Sequence, residues 1–296
     1  MDHVEPLERN SDFERPLDLR RDSATSRRRA VLGSIVLVVV AVAIALFFVR
    51  RLHPDESAVP PPQASPSTPA PAASAPASAG PQHPIEAAAV TPVEPDPPLP
   101  AVSESDGMLQ DAMAAIFTAV PLDRVFHLDA IVPRFVATID NLPRQTAALQ
   151  RMPVKPIDGR LLIAQDDGRI LLRADNATRY STYMRVLDQV DTRKLVQTYV
   201  RFYPLFQKAY EDLGYPHGYF NDRLVDVIDH LLAAPDVPAP AVLTQPKVMY
   251  EFADPALEQR SAGQKILLRM GTVNEARVKA KLRAIRNGVT GQSLPR

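Results

Sequence analysis

Four titratable side chains crowd the stretch Tyr219–Ala234: Asp222, Asp226, Asp229 and His230. Leu224, Val225, Ile228, Leu231 and Leu232 recur at helical spacing around them, opened by Asn221-Asp222 and stopped by Pro235, so the pattern predicts a helix. On such a helix Asp226 and His230 stand at i, i+4, and the three aspartates can share one side. Carboxylates beside an imidazole are the equipment of a general acid–base or metal site. The plainer reading makes Asp222 a helix cap and the others a solvated face. Two kinds of ligand on one helix, without a recognisable third elsewhere, assign no metal and no cofactor.

The cations offer binding rather than catalysis. Arg223 follows Asn221-Asp222, and Arg269 sits inside Ile266-Leu267-Leu268-Arg269-Met270. An arginine in an apolar run is expected to be half-buried against a carboxylate, with a guanidinium lining a cleft as the alternative. The last helix carries Arg277, Lys279, Lys281, Arg283 and Arg286 against Glu275. Such a face is either solvated or a surface for an anionic polymer or lipid headgroups. Arg223, Arg269, Lys279, Lys281 and Arg283 are therefore the binding candidates. Tyr199, Phe202, Tyr203, Phe206 and Tyr210 form an aromatic stripe at helical spacing, expected in the core rather than as a stacking platform. Gly263-Gln264-Lys265 lacks the second glycine of a phosphate loop, and neither Gly-x-Ser-x-Gly nor His-Glu-x-x-His occurs.

Composition narrows the classes. Lys plus Arg number 34, as do Asp plus Glu, so no global field argues for a nucleic-acid partner. The 296 residues contain no cysteine, which excludes disulfides, thiolate nucleophiles and Cys-bound zinc.

The elements that must position these residues lie between 99 and 289. Met108 to Val120 repeats helically behind Ser105-Asp106, the expected cap, and Leu128 to Ile139 gives a second stripe interrupted by Pro133. Leu161–Gln165 and Arg169–Arg173 flank Asp166-Asp167-Gly168, a β-hairpin signal. Helical pattern resumes over Asn176–Val190 and over Thr192–Leu213, the latter between Asp191 and Gly214. Asp236–Lys247, with three prolines, reads as a rigid loop, and Val248–Phe252 as a single strand. Asp254-Pro255 opens a helix that runs to Gly271, and Asn274 caps the last one. The expected class is α+β, mainly α with a small hairpin and a candidate third strand, followed by a flexible tail, 290–296.

Upstream the chain changes character. Ala30–Val49 is twenty residues without a charge, the length of a bilayer-spanning helix at ~1.5 Å per residue. Arg27, Arg28 and Arg29 precede it, Arg50 and Arg51 follow, and no further Lys or Arg occurs before Arg124. That bias places residues 1–29 in the cytoplasm as a disordered tail and the C-terminal domain outside. The lipid bilayer is thus a partner through residues 30–49. Residues 50–98 read as a disordered Pro/Ala/Ser-rich spacer, and half of the chain's 30 prolines lie between His53 and Pro100. At ~3.1 Å per residue it could reach roughly 150 Å when fully extended.

Two stretches carry a family resemblance. One runs Tyr203-Pro204-Leu205-Phe206-Gln207-Lys208-Ala209-Tyr210, then Leu213-Gly214-Tyr215-Pro216, then Tyr219-Phe220-Asn221-Asp222-Arg223-Leu224 and Val227-Ile228-Asp229-His230. The other runs Gly263-Gln264-Lys265-Ile266-Leu267-Leu268-Arg269-Met270-Gly271, followed by Lys279-Ala280-Lys281-Leu282-Arg283. Together they resemble the domain of unknown function numbered 3014, over roughly residues 99–288. The resemblance implies a bacterial inner-membrane protein with a periplasmic domain, and it carries over no catalytic residue. The expected role is a non-enzymatic binding or assembly module, with another envelope protein or the cell-wall polymer as its partner. The alternative is an envelope hydrolase or metal-dependent enzyme using the Asp/His face.

Overall fold

The computed structural model describes residues 80–88, 97–118, 121–146, 151–237 and 240–292. The tail expected at 1–29, the apolar segment 30–49 and most of the expected spacer lie outside them. Among the described residues no helix is long and apolar enough to cross a membrane.

The fold is mainly helical with a small antiparallel sheet. Its helices are α1 (Asp106–Ala114), α2 (Leu122–Val125), α3 (Ile131–Asn141), α4 (Asn176–Arg179), α5 (Ser181–Gln189), α6 (Thr192–Asp212), α7 (Phe220–Leu232), α8 (Pro255–Glu258), α9 (Ala262–Arg269) and α10 (Thr272–Val289). The strands are β1 (Ile163–Asp166), β2 (Arg169–Leu172), β3 (Val242–Thr244) and β4 (Glu251–Phe252), side by side in that order and antiparallel throughout.

The α6 stripe is core. Phe202 and Phe206 are fully buried, and Leu195, Val196, Tyr199 and Tyr210 nearly so. Phe206 lies 5.0 Å from Phe135 of α3 and 6.0 Å from Phe220 of α7, the latter pair almost parallel. Helix α3 is enclosed at every position from Phe135 to Asp140, which includes Thr138 and the carboxylate of Asp140. Pro133 does not break it, because it occupies the first turn, where a missing N–H costs no intrahelical bond. Asp191 caps α6 through the N–H groups of Arg193 and Lys194. At the other end Gly214 adopts φ +117°, a backbone that favours glycine.

Several local expectations shift. Asp106 does not serve its own helix. Its carboxylate accepts the N–H groups of Ala130 (2.7 Å) and Ile131 (2.9 Å), where α3 begins. Val242–Thr244, inside the stretch read as a rigid loop, is strand β3, paired on one side with β2 and on the other with β4. A three-residue strand between prolines carries no periodicity of its own, so only its partners reveal it. The β1–β2 turn places Asp167 and Gly168 both at positive φ, the form that suits hairpin twist. Leu172, Leu243, Phe252 and Leu268 make a second, smaller core between the sheet and α9. Asn274 does not cap α10. It sits one turn inside and donates to the carbonyls of Ala177 (3.0 Å) and Met270 (3.1 Å), while Gly271 occupies the cap position.

Truncating Phe206 to Ala removes a ring packed on α3 and α7 and is expected to cost ~3–5 kcal/mol of unfolding free energy. Val273→Ala, at a side chain 70% exposed, should stay within about 0.5 kcal/mol of wild type. Chemical denaturation of the chain from Gly80 onward measures both, and a neutral Phe206→Ala would contradict this packing.

Candidate functional site

Helix α7 presents its polar residues in different directions and to different partners. Asp222, in the first turn, accepts the main-chain N–H groups of Gln82 (2.9 Å) and His83 (2.7 Å). Asp229, two turns on, holds Arg286 of α10 with both oxygens, at 2.6 and 2.9 Å. Asp226 between them is exposed. His230 has a partner of its own: its Nε2 lies 2.8 Å from Ser261 Oγ. The four residues thus share a helix without sharing a site. Among the described residues no three His, Asp or Glu side chains are grouped to hold a metal ion.

The Ser261–His230 contact is a serine hydroxyl on an imidazole, a pairing that elsewhere activates a nucleophile. Here Ser261 is a helix cap. Its Oγ accepts Gln264 N–H at 3.2 Å to start α9, and the Gln264 carboxamide donates to the His230 carbonyl at 2.7 Å. The serine is buried. Burial lowers the His230 pKa, with the charges of Arg223 and Arg260 adding to it, so the ring stays neutral. The pairing that satisfies both groups has the serine O–H donating to Nε2. Ser261-Ala262-Gly263-Gln264 is a capping-box sequence, and that signal would have marked Ser261 from the sequence.

Arg223 finds its carboxylate on another helix, at Asp140. Its guanidinium lies 3.0 Å from Asp140 Oδ1 and 2.9 Å from the Asp140 carbonyl. Arg144 takes Oδ2 at 2.5 Å, and Tyr215, stacked on Tyr210 at 4.5 Å, donates its hydroxyl to Oδ1 at 3.2 Å. Asp140 is the buried hub of this cluster, and sequence reading missed it. The available signal was a carboxylate one turn after Val136 on an apolar helix face.

The other cations each serve a different partner. Arg269 is half-buried at the small sheet, as expected, donating to the Tyr250 carbonyl (3.1 Å) with its guanidinium 5.3 Å from the Phe252 ring centre. Its partner is a carbonyl and a ring, not the carboxylate expected. The α10 cations do not form one basic face. Lys279 is buried and donates to the Ala234 carbonyl (2.7 Å) and Asp236 (2.9 Å), with Glu275 at 2.8 Å. Burial opposes its charge, but the bonds to Glu275 and Asp236 outweigh that and raise its pKa. Lys281 donates to the Val190 carbonyl at 2.7 Å, and burial lowers its pKa. Arg277 pairs with Asp188, and Arg286 with Asp229. Arg283 is exposed.

Asp140→Ala strands the Arg223 guanidinium, a quarter of whose side chain is exposed, and should cost ~2–3 kcal/mol. Asp226→Ala should be neutral within ~0.5 kcal/mol. Denaturation of both variants checks the contrast, and equal effects would remove Asp140 as the hub. His230 carries a pH signature. Its folded pKa lies below the unfolded value of about 6.5, so the stability it contributes is full above that value and is lost as pH falls through the folded pKa. The His127 pKa is lowered too, by burial first and then Arg134. His230→Gln should therefore reduce, without abolishing, the loss of stability between about pH 7.5 and 5. An unchanged pH slope would refute the neutral assignment.

A family model described as "Protein of unknown function (DUF3014)" matches residues 131–286, from the start of α3 almost to the end of α10. No curated protein and no solved structure matches the chain. The matched span covers more than half of the chain and contains α3, α6, α7 and the Asp140 cluster that joins them, and on that ground the chain belongs to the DUF3014 family.

Proposed function

We propose that this protein is a cell-envelope module of a bacterial inner membrane that binds a partner rather than transforming a substrate. Ala30–Val49 anchors it, residues 1–29 face the cytoplasm, and the domain at 99–289 stands in the periplasm, set off from the bilayer by the Pro-rich segment. The partner is another envelope protein or the cell-wall polymer.

The observation that carries the binding reading is the separation of the polar residues on α7. Asp222 is occupied by main-chain N–H groups, Asp229 by Arg286, and His230 by a buried helix cap. An acid–base or metal mechanism needs such groups within reach of one reacting atom. The anchor rests on the charge-free run of twenty residues and its arginine flanks.

A reporter active only outside the cytoplasm, fused after Arg296, should be active, and a cytoplasm-only reporter at that site silent. The reverse pattern would overturn the topology. An Asp226→Ala/His230→Ala double variant should restore the defect of a deletion strain as well as the wild type does. Failure of that variant at normal protein levels would return the enzyme reading.

A further inference from the structure

Residues 80–88 lie within the stretch read as spacer, yet they are seated on the shoulder where α7 begins and α10 ends. The contact is made almost wholly by main chain. Two consecutive N–H groups, of Gln82 and His83, point at the two oxygens of Asp222. The His83 carbonyl accepts from Asn221 Nδ2 at 2.7 Å, and the same amide donates to the Val289 carbonyl at 3.2 Å. Ile85 packs on the main core. Ala87 runs so close to Gly291 that a β-carbon there would stand 2.2 Å from the Ala87 carbonyl oxygen. A carboxylate in the first turn of a helix and a carboxamide beside it form a clamp for main chain that bends at Gln82-His83 and turns into a single 3-10 turn at Ile85–Ala87, indifferent to most side chains.

Two further facts make this clamp a site rather than a seam. No residue of 80–88 is buried, so little holds the segment down. Asn221 is fully buried, and its carboxamide oxygen has no partner. The next residue of the segment, Pro84, has no N–H to offer it. The resident peptide leaves part of the clamp unused.

We propose that the α7–α10 shoulder is a peptide-binding site for bent segments that present two consecutive free N–H groups to one side, followed by an apolar anchor, and that residues 80–88 occupy it in cis as a reversible strap. The site does not depend on where the domain resides. Only residues 89–96 separate the strap from the rest of the domain, so it competes at an effective concentration of order millimolar. A free peptide enters only when the strap is weakened.

The test uses the full chain in detergent micelles and a fluorescent peptide spanning residues 80–88, with binding read by anisotropy. Ile85→Asp, which spoils the strap's apolar anchor, should bind the peptide about 10-fold or more tighter than wild type. Adding Asp222→Ala to that variant should lose about 10-fold again. A peptide N-methylated at the Gln82 and His83 amides should fail to bind Ile85→Asp, a control that leaves the protein untouched. Equal binding by wild type and Ile85→Asp, or undiminished binding of the methylated peptide, would overturn the proposal.

Discussion

The packing of Phe135, Phe206 and Phe220 is the contact on which the rest of the domain depends. Each ring comes from a different helix, and all three are essentially fully buried. Phe206 meets the other two at 5.0 and 6.0 Å, and Tyr199 joins at 5.8 Å. Aromatic rings bury large areas and tolerate only a few mutual orientations, so three helices sharing one cluster are fixed in both spacing and rotation. Once α3, α6 and α7 are so fixed, α10 closes over them with Val278, Leu282, Ile285 and Val289. A cavity of about 30 Å³ remains among these helices, lined by apolar side chains.

Enclosing α3 brings a charge into the interior. Asp140 is 3% exposed, and an isolated carboxylate there would be expensive. Arg144, Arg223 and Tyr215 answer it from α3's own end, from α7 and from the α6–α7 connection. The polar cluster therefore repeats in charge what the aromatic cluster does in shape: it binds the same helices in one register. The ion pair from Asp229 to Arg286 and the Lys279 bonds to Ala234 and Asp236 extend the pattern to α10. Charged residues that could have gathered into a site are spent as ties between elements.

The same logic reaches the strap. Asp222 and Asn221 accept and donate to main chain some 140 positions away in sequence. In chain order the described residues thus meet α7, through 82–83, before they reach α1. The Pro-rich composition that forbids a core of its own is compatible with a short bent segment laid on a formed surface.

What the sequence determined by itself follows from short-range physics. Helical spacing of apolar residues located α3, α6 and α7, because amphipathic periodicity reports one buried face. Asp191 and Gly214 marked the ends of α6, and Asp167-Gly168 the β1–β2 turn, because caps and turns depend on neighbouring backbone alone. Ser261-Ala262-Gly263-Gln264 was readable in the same way, though it was taken for part of one long helix from Asp254. Tertiary structure alone decided the rest. Strand β3 exists because β2 and β4 flank it, and no local pattern encodes a partner such as β2, some seventy residues away. Asp106 looked like a cap for α1 and instead caps α3. Asp222, Asp229 and His230 looked like a cluster because a helix sets neighbours along one surface. Their separate fates were settled by residues 82–83, α10 and the start of α9 arriving from different directions. A helix places side chains in order along its axis, but the elements packed around it determine what each one touches.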